Sequence, residues 1–559
     1  EIPGVECTTG PLGQGFAMGV GMALAEAYLS SLISNDDKDS KKLIDHFTYV
    51  LATDGDLQEP VALGAAAIAG HLGLNKLVVY YDANDAQISG KVSRSDSVNY
   101  AVLFDGLGWN VQEIDGHDHS AMHFAIETAK VMDKPSIIIG NTVMAKGAST
   151  MEGDHNTHGA PLPQEEIDRT KKKLGLPAKK FYVPTEVIEH FSHRFSDLTL
   201  VAKHWKEIFK KATKEPELKD TIASTISGKI ISEFETPAFK SGEMLATRKA
   251  FGAVLDSIAG SMPQLVGGSA DLEPSNYTGN FAKTYGDFQK NNKSGRNIPF
   301  GVREFPMAAI MNGMALHGGL IPFGGTFLVF SDYERPALRL AAIQKVRVIH
   351  EFTHDSFYVG EDGPTHQPIE HIMSLRAIPD FNVYRPADAK ETASCIRLAI
   401  ENGNTPSALL LTRQGVPILN GSQKQVDANV SKGAYTLIDT KGSPEIIILA
   451  TGSEVSLAIE VAKKLDGKKV RIVSMPCWEI FDKQADDYKK EVIPDRGSLK
   501  ISIEAGITNG WEKYIGINGL AIGINHFGRS APAGDLAHAF GFTADQVSDK
   551  IEKFLEKLL

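Results

Sequence analysis

Asp54-Gly55 closes the apolar run at residues 47–52, and Asn84 closes the next such run at 76–81, with a helix-length Ala/Gly-rich segment between them. Two parallel strands joined by a helix bring their carboxyl ends side by side, which is where open α/β sheets bind ligands. At that edge an Asp carboxylate and an Asn amide oxygen are hard ligands for Mg²⁺ or Ca²⁺, and phosphate oxygens and water suit the remaining coordination positions. Gly55 leaves its backbone N–H open to an approaching phosphate. An Asp-Gly pair after a strand is on its own usually a turn. The Asn thirty residues later shifts the reading toward a metal-diphosphate site.

A second concentration of reactive side chains follows the apolar run at 346–350. Residues 353–368 read Thr-His-Asp-Ser-Phe-Tyr-Val-Gly-Glu-Asp-Gly-Pro-Thr-His-Gln-Pro, so His354, His366 and several carboxylates share one loop. Such a loop at a strand's carboxyl end offers donors and proton carriers to a polyhydroxylated substrate. A solvated turn and a zinc site on the two histidines are the alternatives. Zinc fits less well, because the twelve-residue gap matches no common ligand spacing and no cysteine is near. Hydrogen bonding is the better reading.

These loops need sheets to position them. A chain of 559 residues is too long for one core. Apolar runs near 47–53, 76–82, 109–114 and 136–143, continuous enough to imply burial on both faces, predict a parallel α/β domain at 1–165. A glycine-rich turn at 7–15 opens its first helix and presents N-terminal amides. Residues 166–243, rich in Lys, Glu and Asp, predict a helical connector that wraps the globular parts. A second α/β domain is expected at 244–425, with strands near 264–269, 346–353, 381–385 and 407–412. A third is expected at 426–559, with strands near 445–451, 469–475, 499–504 and 521–524. The fold class is therefore α/β, three successive domains with largely parallel sheets.

Composition narrows the function. A net charge of −11 argues against a nucleic-acid partner, although local basic groups can still hold small phosphates. No apolar run reads as long enough to cross a bilayer. Three cysteines without CxxC spacing indicate neither a disulfide framework nor a zinc site, and a reducing cytoplasm fits best.

Thr53-Asp54-Gly55 with Asn84 resembles the Gly-Asp-Gly…Asn fingerprint of thiamine-diphosphate enzymes, with Thr53 in place of the first glycine. The 353–368 segment makes the resemblance specific to the transketolases. It extends over Gly10 to Gly15, His158-Gly159-Ala160-Pro161, Ala246-Thr247-Arg248-Lys249, Gly267-Gly268-Ser269-Ala270-Asp271-Leu272, Gly301-Val302-Arg303-Glu304-Phe305 and Thr412-Arg413-Gln414. It implies Asp54, Asn84 and the backbone carbonyl of Ala86 as ligands of Mg²⁺ or Ca²⁺. It also implies contact of the cofactor with Gly10, Leu12, Gly55, Glu59, Ile88, Asp271 and Leu272, the last as the wedge that bends it. His158 would reach the diphosphate. Glu304 would hydrogen-bond the aminopyrimidine, inside an aromatic pocket of Phe327, Phe330 and Tyr333. Arg248, Ser275 and Arg413 would bind the substrate's phosphate. His354, Asp362 and His366 would hold the sugar hydroxyls, and His366 is also placed to move protons. Glu304, His366 and His158 are the residues expected to serve the chemistry.

The implied reaction is reversible transfer of a two-carbon ketol unit from a ketose phosphate to an aldose phosphate, in a homodimer whose active sites lie at the subunit interface. Relatives carry roughly a hundred residues before the point matching Glu1, so a separate N-terminal polypeptide is one way the site could be completed. A non-catalytic, cofactor-binding relative stays open beside the enzyme. Related thiamine enzymes such as deoxyxylulose-phosphate synthase fit the 353–368 segment less well. The final domain has no catalytic role in this reading.

Overall fold

The computed structural model describes residues 4–33, 43–226 and 235–558. The chain forms two compact units. One comprises Glu1–Ile231, Phe288–Gly295 and Leu316–Leu320, and the other Ser232–Asp287, Arg296–Ala315 and Ile321–Leu559.

The first unit is built on a four-stranded parallel sheet, in the order Thr48–Thr53, Leu77–Ala83, Ser136–Asn141, Asn110–Asp115. Leu77, Val78 and Val79 with Ile137, Ile138 and Ile139 are buried, because these central strands are covered on both faces. The two outer strands depart from the expected double burial. Tyr49 and Leu51 are exposed on Thr48–Thr53, and Asn110–Asp115 is at best half-buried, since an edge strand has a neighbour on one side only. The helix Gln14–Ile33 packs on the sheet through small residues. A Cβ on Gly19 would stand 2.3 Å from Val50 Cγ2. By length and composition this helix is long and apolar enough to cross a bilayer, contrary to the sequence reading, but most of it is buried within its own unit. Helices Gln164–Lys173, Thr185–Ala212 and Pro216–Ile226 occupy the connector region. Thr185–Ala212 is exposed along almost its whole length, and its last turn packs Ala212, with Ile208 and Phe209, against Leu43 and Leu218.

The second unit contains two larger sheets. A six-stranded parallel sheet runs in the order Asn382–Tyr384, Ser407–Leu411, Ile349–Thr353, Ile321–Phe327, Leu265–Ser269, Asn297–Pro299. The sequence reading did not include Ile321–Phe327 among its strands, and Pro322, Gly324 and Gly325 are residues with low strand propensity. The strand is fully buried, and the glycines leave room for neighbours: a Cβ on Gly324 would lie 2.7 Å from Met311 Sδ, and one on Gly325 2.8 Å from Glu351 Oε2. A five-stranded sheet follows, in the order Tyr435–Ile438, Val470–Ser474, Ile446–Ala450, Leu499–Ile503, Leu520–Ile522, with only the first strand antiparallel. Between these sheets Arg385 is fully buried and pairs with Asp355 at 2.9 Å and with Glu454, while Arg376 makes a bidentate bond to Glu504 at 2.8 and 2.9 Å. Two arginines and three carboxylates, all buried, compensate one another's charge where water is excluded.

Candidate active site

In the first unit the carboxyl ends of Thr48–Thr53 and Leu77–Ala83 are adjacent, as the spacing predicted. Asp54 begins a short helix and is buried. The Tyr81 hydroxyl donates to its Oδ1 at 2.6 Å, and the Asn84 backbone N–H also points to its carboxylate. Its Oδ2 is buried without a hydrogen-bond partner among the described residues. Burial holds the Asp54 carboxyl above its usual range despite those bonds. The Asn84 Oδ1 accepts the Ala86 N–H at 3.0 Å, and its amide donates to Asp82 at 3.0 Å, which shapes the turn 84–86 around Asp85 at φ +53°.

Thr53, where the fingerprint has glycine, is held by a residue the sequence reading passed over. Its N–H and Oγ1 both donate to Asp56 Oδ2 at 2.9 Å, and the other Asp56 oxygen accepts the Gly13 N–H at 2.9 Å. Asp56 thus fastens the glycine-rich turn to the Asp54 loop. The two segments touch, since a Cβ on Gly55 would stand 2.8 Å from Leu12 Cδ1. Gly10 shares that turn. Glu59 is half-buried at the start of helix Pro60–Leu72, and Ile88 is 80% exposed. His158 is exposed on the loop following Ser136–Asn141, and belongs to a different unit from Glu304 and His366, so no single unit assembles the three.

In the second unit almost every expected residue lies just past the carboxyl end of a parallel strand. Asp271 and Leu272 follow Leu265–Ser269, Glu304 follows Asn297–Pro299, Phe327 ends its strand, His354 follows Ile349–Thr353, and Arg413 follows Ser407–Leu411. Phe327 and Phe330 stack at 5.9 Å and 9°, and Tyr333 continues the row at 6.2 Å from Phe330. His354 lies 3.8 Å from the Phe327 ring, and His366 meets Phe330 edge-on at 5.6 Å. His354 is in the left-handed region at φ +61°, a costly conformation for a non-glycine residue. Burial, with Arg248, Arg413 and His366 nearby, pushes its pKa down to about 3, so it is neutral at physiological pH.

Arg248, from helix Thr247–Ala259, donates from NH1 to the Ser275 carbonyl at 3.0 Å and covers the Tyr277 ring at 5.2 Å, while its buried Nε has no hydrogen-bond partner among the described residues. Arg248 and Arg413 repel one another, a convergence that suits a dianion. Glu304 is half-buried at the head of helix Glu304–His317, and burial raises its carboxyl. Asp362 is exposed on its loop.

The final domain has a part that sequence reasoning did not give it. Gln367 donates to the Gly360 carbonyl at 2.7 Å and to the Arg529 carbonyl at 2.9 Å, and accepts the Arg529 N–H at 3.0 Å. Residues 528–530 therefore clamp the histidine loop from behind. A Cβ on Gly528 would lie 1.6 Å from Gln367 Oε1, so Gly528→Ala is expected to displace Gln367 at a cost of about 1–3 kcal/mol. The check is thermal unfolding together with KM for the sugar, which rises if His366 is carried off its place.

The first unit carries a buried strand-end carboxylate suited to a metal, and the second an aromatic row with a neutral histidine and two arginines, side chains of the class of α/β enzymes that handle charged, ring-bearing ligands. Three family descriptions match the chain in order: "Transketolase, thiamine diphosphate binding domain" over residues 1–231, "Transketolase, pyrimidine binding domain" over 243–418, and "Transketolase-like TK C-terminal domain" over 433–543. The chain is 45% identical to the transketolase of Geobacillus stearothermophilus over all of its own length and 84% of the relative's, and 41% identical to that of Aquifex aeolicus over 98% and 79%. Its structure matches transketolase from Leishmania mexicana with a TM-score of 0.95 at 41% identity, covering 99% of this chain and 82% of that one. It also matches the Pichia stipitis transketolase solved with sedoheptulose 7-phosphate, at 0.93 and 39%, with coverage of 99% and 82%. The chain belongs to the transketolase family, thiamine-diphosphate-dependent transferases that also use a divalent metal. The buried Asp54 Oδ2, which has no hydrogen-bond partner among the described residues, and the half-buried Glu304, whose carboxyl is raised by burial, fit that cofactor.

Proposed function

We propose that the chain moves a two-carbon ketol unit reversibly from xylulose 5-phosphate to ribose 5-phosphate or erythrose 4-phosphate. The observation that carries this reading is a buried neutral histidine packed on an aromatic row, with Arg413 past a strand end of the same sheet and Arg248 from helix Thr247–Ala259 beside it. When bound, thiamine diphosphate supplies the electron sink that allows the ketose carbon–carbon bond to break. Asp54, Asn84 and the Ala86 carbonyl hold its metal. Gly10, Leu12, Gly55, Glu59, Ile88, His158, Asp271 and Leu272 line it, and Phe327, Phe330 and Tyr333 enclose its ring. Glu304 shares a proton with a ring nitrogen, for which a carboxyl raised by burial is suited.

Arg248, Ser275 and Arg413 anchor the sugar's phosphate, which fixes the reacting carbons at the other end of the molecule. His354 is neutral and its Nδ1 is engaged by Thr353 Oγ1 at 2.9 Å, so Nε2 is the nitrogen it offers to the sugar hydroxyls. Asp362 reads hydroxyl stereochemistry, and His366, at the edge of the aromatic row, holds a hydroxyl and moves its proton. The working form is a cytoplasmic homodimer with its sites at the subunit interface, which sedimentation at twice 60.5 kDa would register.

The deciding test is a coupled assay of this chain with thiamine diphosphate, Mg²⁺, xylulose 5-phosphate and ribose 5-phosphate. Release of glyceraldehyde 3-phosphate that depends on the acceptor is the expected result, and cofactor binding without release refutes the reading. Arg413→Met is expected to raise KM for phosphorylated acceptors about 10–100-fold, the worth of a charged hydrogen bond, while leaving an unphosphorylated aldehyde acceptor unaffected. Equal losses on both acceptors count against the phosphate assignment.

A further inference from the structure

Asp332, Glu370 and His371 lie outside every role given above. Asp332 is in the first turn of helix Ser331–Gln344, beside Tyr333 of the aromatic row. Glu370 caps the short helix His371–Arg376, in the segment that follows His366. One ring nitrogen of His371 and one carboxylate oxygen from each acid lie within 4.8 Å of one another. The His371 side chain is only 5% exposed, whereas those of Asp332 and Glu370 are 61% and 52% exposed.

The two nitrogens of this ring meet different surroundings. Nε2 is 3.1 Å from Asp332 Oδ2, and because a carboxylate only accepts, Nε2 carries the hydrogen of that bond. In the neutral ring Nδ1 then holds the lone pair. Nδ1 is buried without a hydrogen-bond partner among the described residues, and it faces Glu370 Oε2 at 3.8 Å. Two acceptors therefore point at each other. The gap is too long for an N–H···O bond, but Zn²⁺ bonds of about 2.0–2.2 Å span it at an angle somewhat wider than tetrahedral. Helix starts favour acidic residues, which accounts for Asp332 and Glu370 but not for a buried imidazole with an open nitrogen. Neither carboxylate pairs with a lysine or arginine among the described residues. Arg335, one turn along from Asp332, donates to the Ser374 carbonyl at 2.7 Å.

We propose that His371, Glu370 and Asp332 form a second metal site, which takes one divalent transition-metal ion of the Zn²⁺ or Co²⁺ type. His371 Nδ1 and Glu370 are the direct ligands. Asp332 accepts the Nε2–H, which fixes the ring and raises the basicity of Nδ1, as the outer partner of a metal-bound histidine does. Water fills the remaining positions, and the exposed acids close on the ion by side-chain rotation about a fixed imidazole. The imidazole selects the ion, because it suits Zn²⁺ and its neighbours and is a poor ligand for Mg²⁺ or Ca²⁺. A bound ion fastens the helix that carries Tyr333 to the end of the histidine loop.

The test is calorimetric titration of Zn²⁺ into the protein with thiamine diphosphate and Mg²⁺ in excess, repeated with Co²⁺ to read its visible absorption band. Uptake of one Zn²⁺ per chain is expected. His371→Gln and Glu370→Gln are expected to weaken it by more than about a hundredfold and to abolish the Co²⁺ band, and Asp332→Asn to weaken it about 10–100-fold. Glu370 and Asp332 are exposed, so their variants keep the idea testable if His371→Gln fails to fold. Asp54→Asn is expected to leave this uptake unchanged. No uptake at one ion per chain, or uptake that all three variants retain as surface histidines would allow, overturns the proposal. Uptake lost in D54N but kept in H371Q puts the ion in the cofactor's metal site and also overturns it.

Discussion

Glu304→Gln is expected to lower turnover by about a thousandfold or more while the cofactor-free chain stays folded. Proton transfer by a positioned side chain contributes about 10²–10⁴-fold, and glutamine keeps the shape and a hydrogen bond but has no proton to exchange. Glu304 sits at the head of its helix with burial as the largest influence on its carboxyl, opposed by its own backbone N–H. Burial therefore favours the protonated form, the one that can donate to a ring nitrogen. The sign for stability follows. The folded-state value is above the unfolded one, so its contribution is present below the unfolded pKa and is lost as pH rises through the folded pKa. The glutamine variant loses that dependence, and its melting temperature falls less than the parent's between acid and neutral pH. Single-turnover kinetics measure the first effect and pH-dependent melts the second. Turnover within tenfold of the parent would remove Glu304 from the chemistry.

Asp54→Asn is expected to have opposite effects on the empty and the loaded protein. Without metal the Asp54 carboxylate is buried with one oxygen lacking a hydrogen-bond partner among the described residues, a cost that the neutral amide reduces, so the cofactor-free variant is expected to melt higher than the parent at neutral pH. With Mg²⁺ and thiamine diphosphate the order reverses, because the anionic hard ligand is gone and metal affinity falls by more than about a hundredfold. The raised carboxyl again gives stability that is present at acid pH and lost as pH rises, so the gain from the amide is largest at neutral pH and vanishes in acid. Melting curves with and without metal and cofactor, at two pH values, read all of this. A variant that gains as much from metal and cofactor as the parent does would rule out Asp54 as the ligand.

The legible parts of this protein were those where one residue type answers a local demand. Leu77-Val78-Val79 and Ile137-Ile138-Ile139 read as buried parallel strands because β-branched and apolar residues leave little else for the backbone to do, and Asp54 and Asn84 stood out because polar residues terminate such runs. Ile321–Phe327 was illegible for the converse reason: its glycines are explained by Met311 and Glu351, residues distant or hidden in sequence, and only their approach shows why a side chain is excluded. The helix Gln14–Ile33 carried too little contrast between its faces to reveal that it was a core helix.

The sequence by itself determined the α/β class, the strand ends that carry chemistry, the transketolase resemblance, and the residue types suited to metal, phosphate and sugar. Those follow from short-range pattern and side-chain chemistry. Only the tertiary structure decided that Asp56 locks Thr53 to the glycine-rich turn, that residues 528–530 clamp the histidine loop, and that burial, with Arg248 and Arg413 nearby, keeps His354 neutral. Each depends on desolvation and on contacts between segments up to 162 residues apart, and burial, which sets the strength of every one of these interactions, is a property of the packed fold rather than of any stretch of chain.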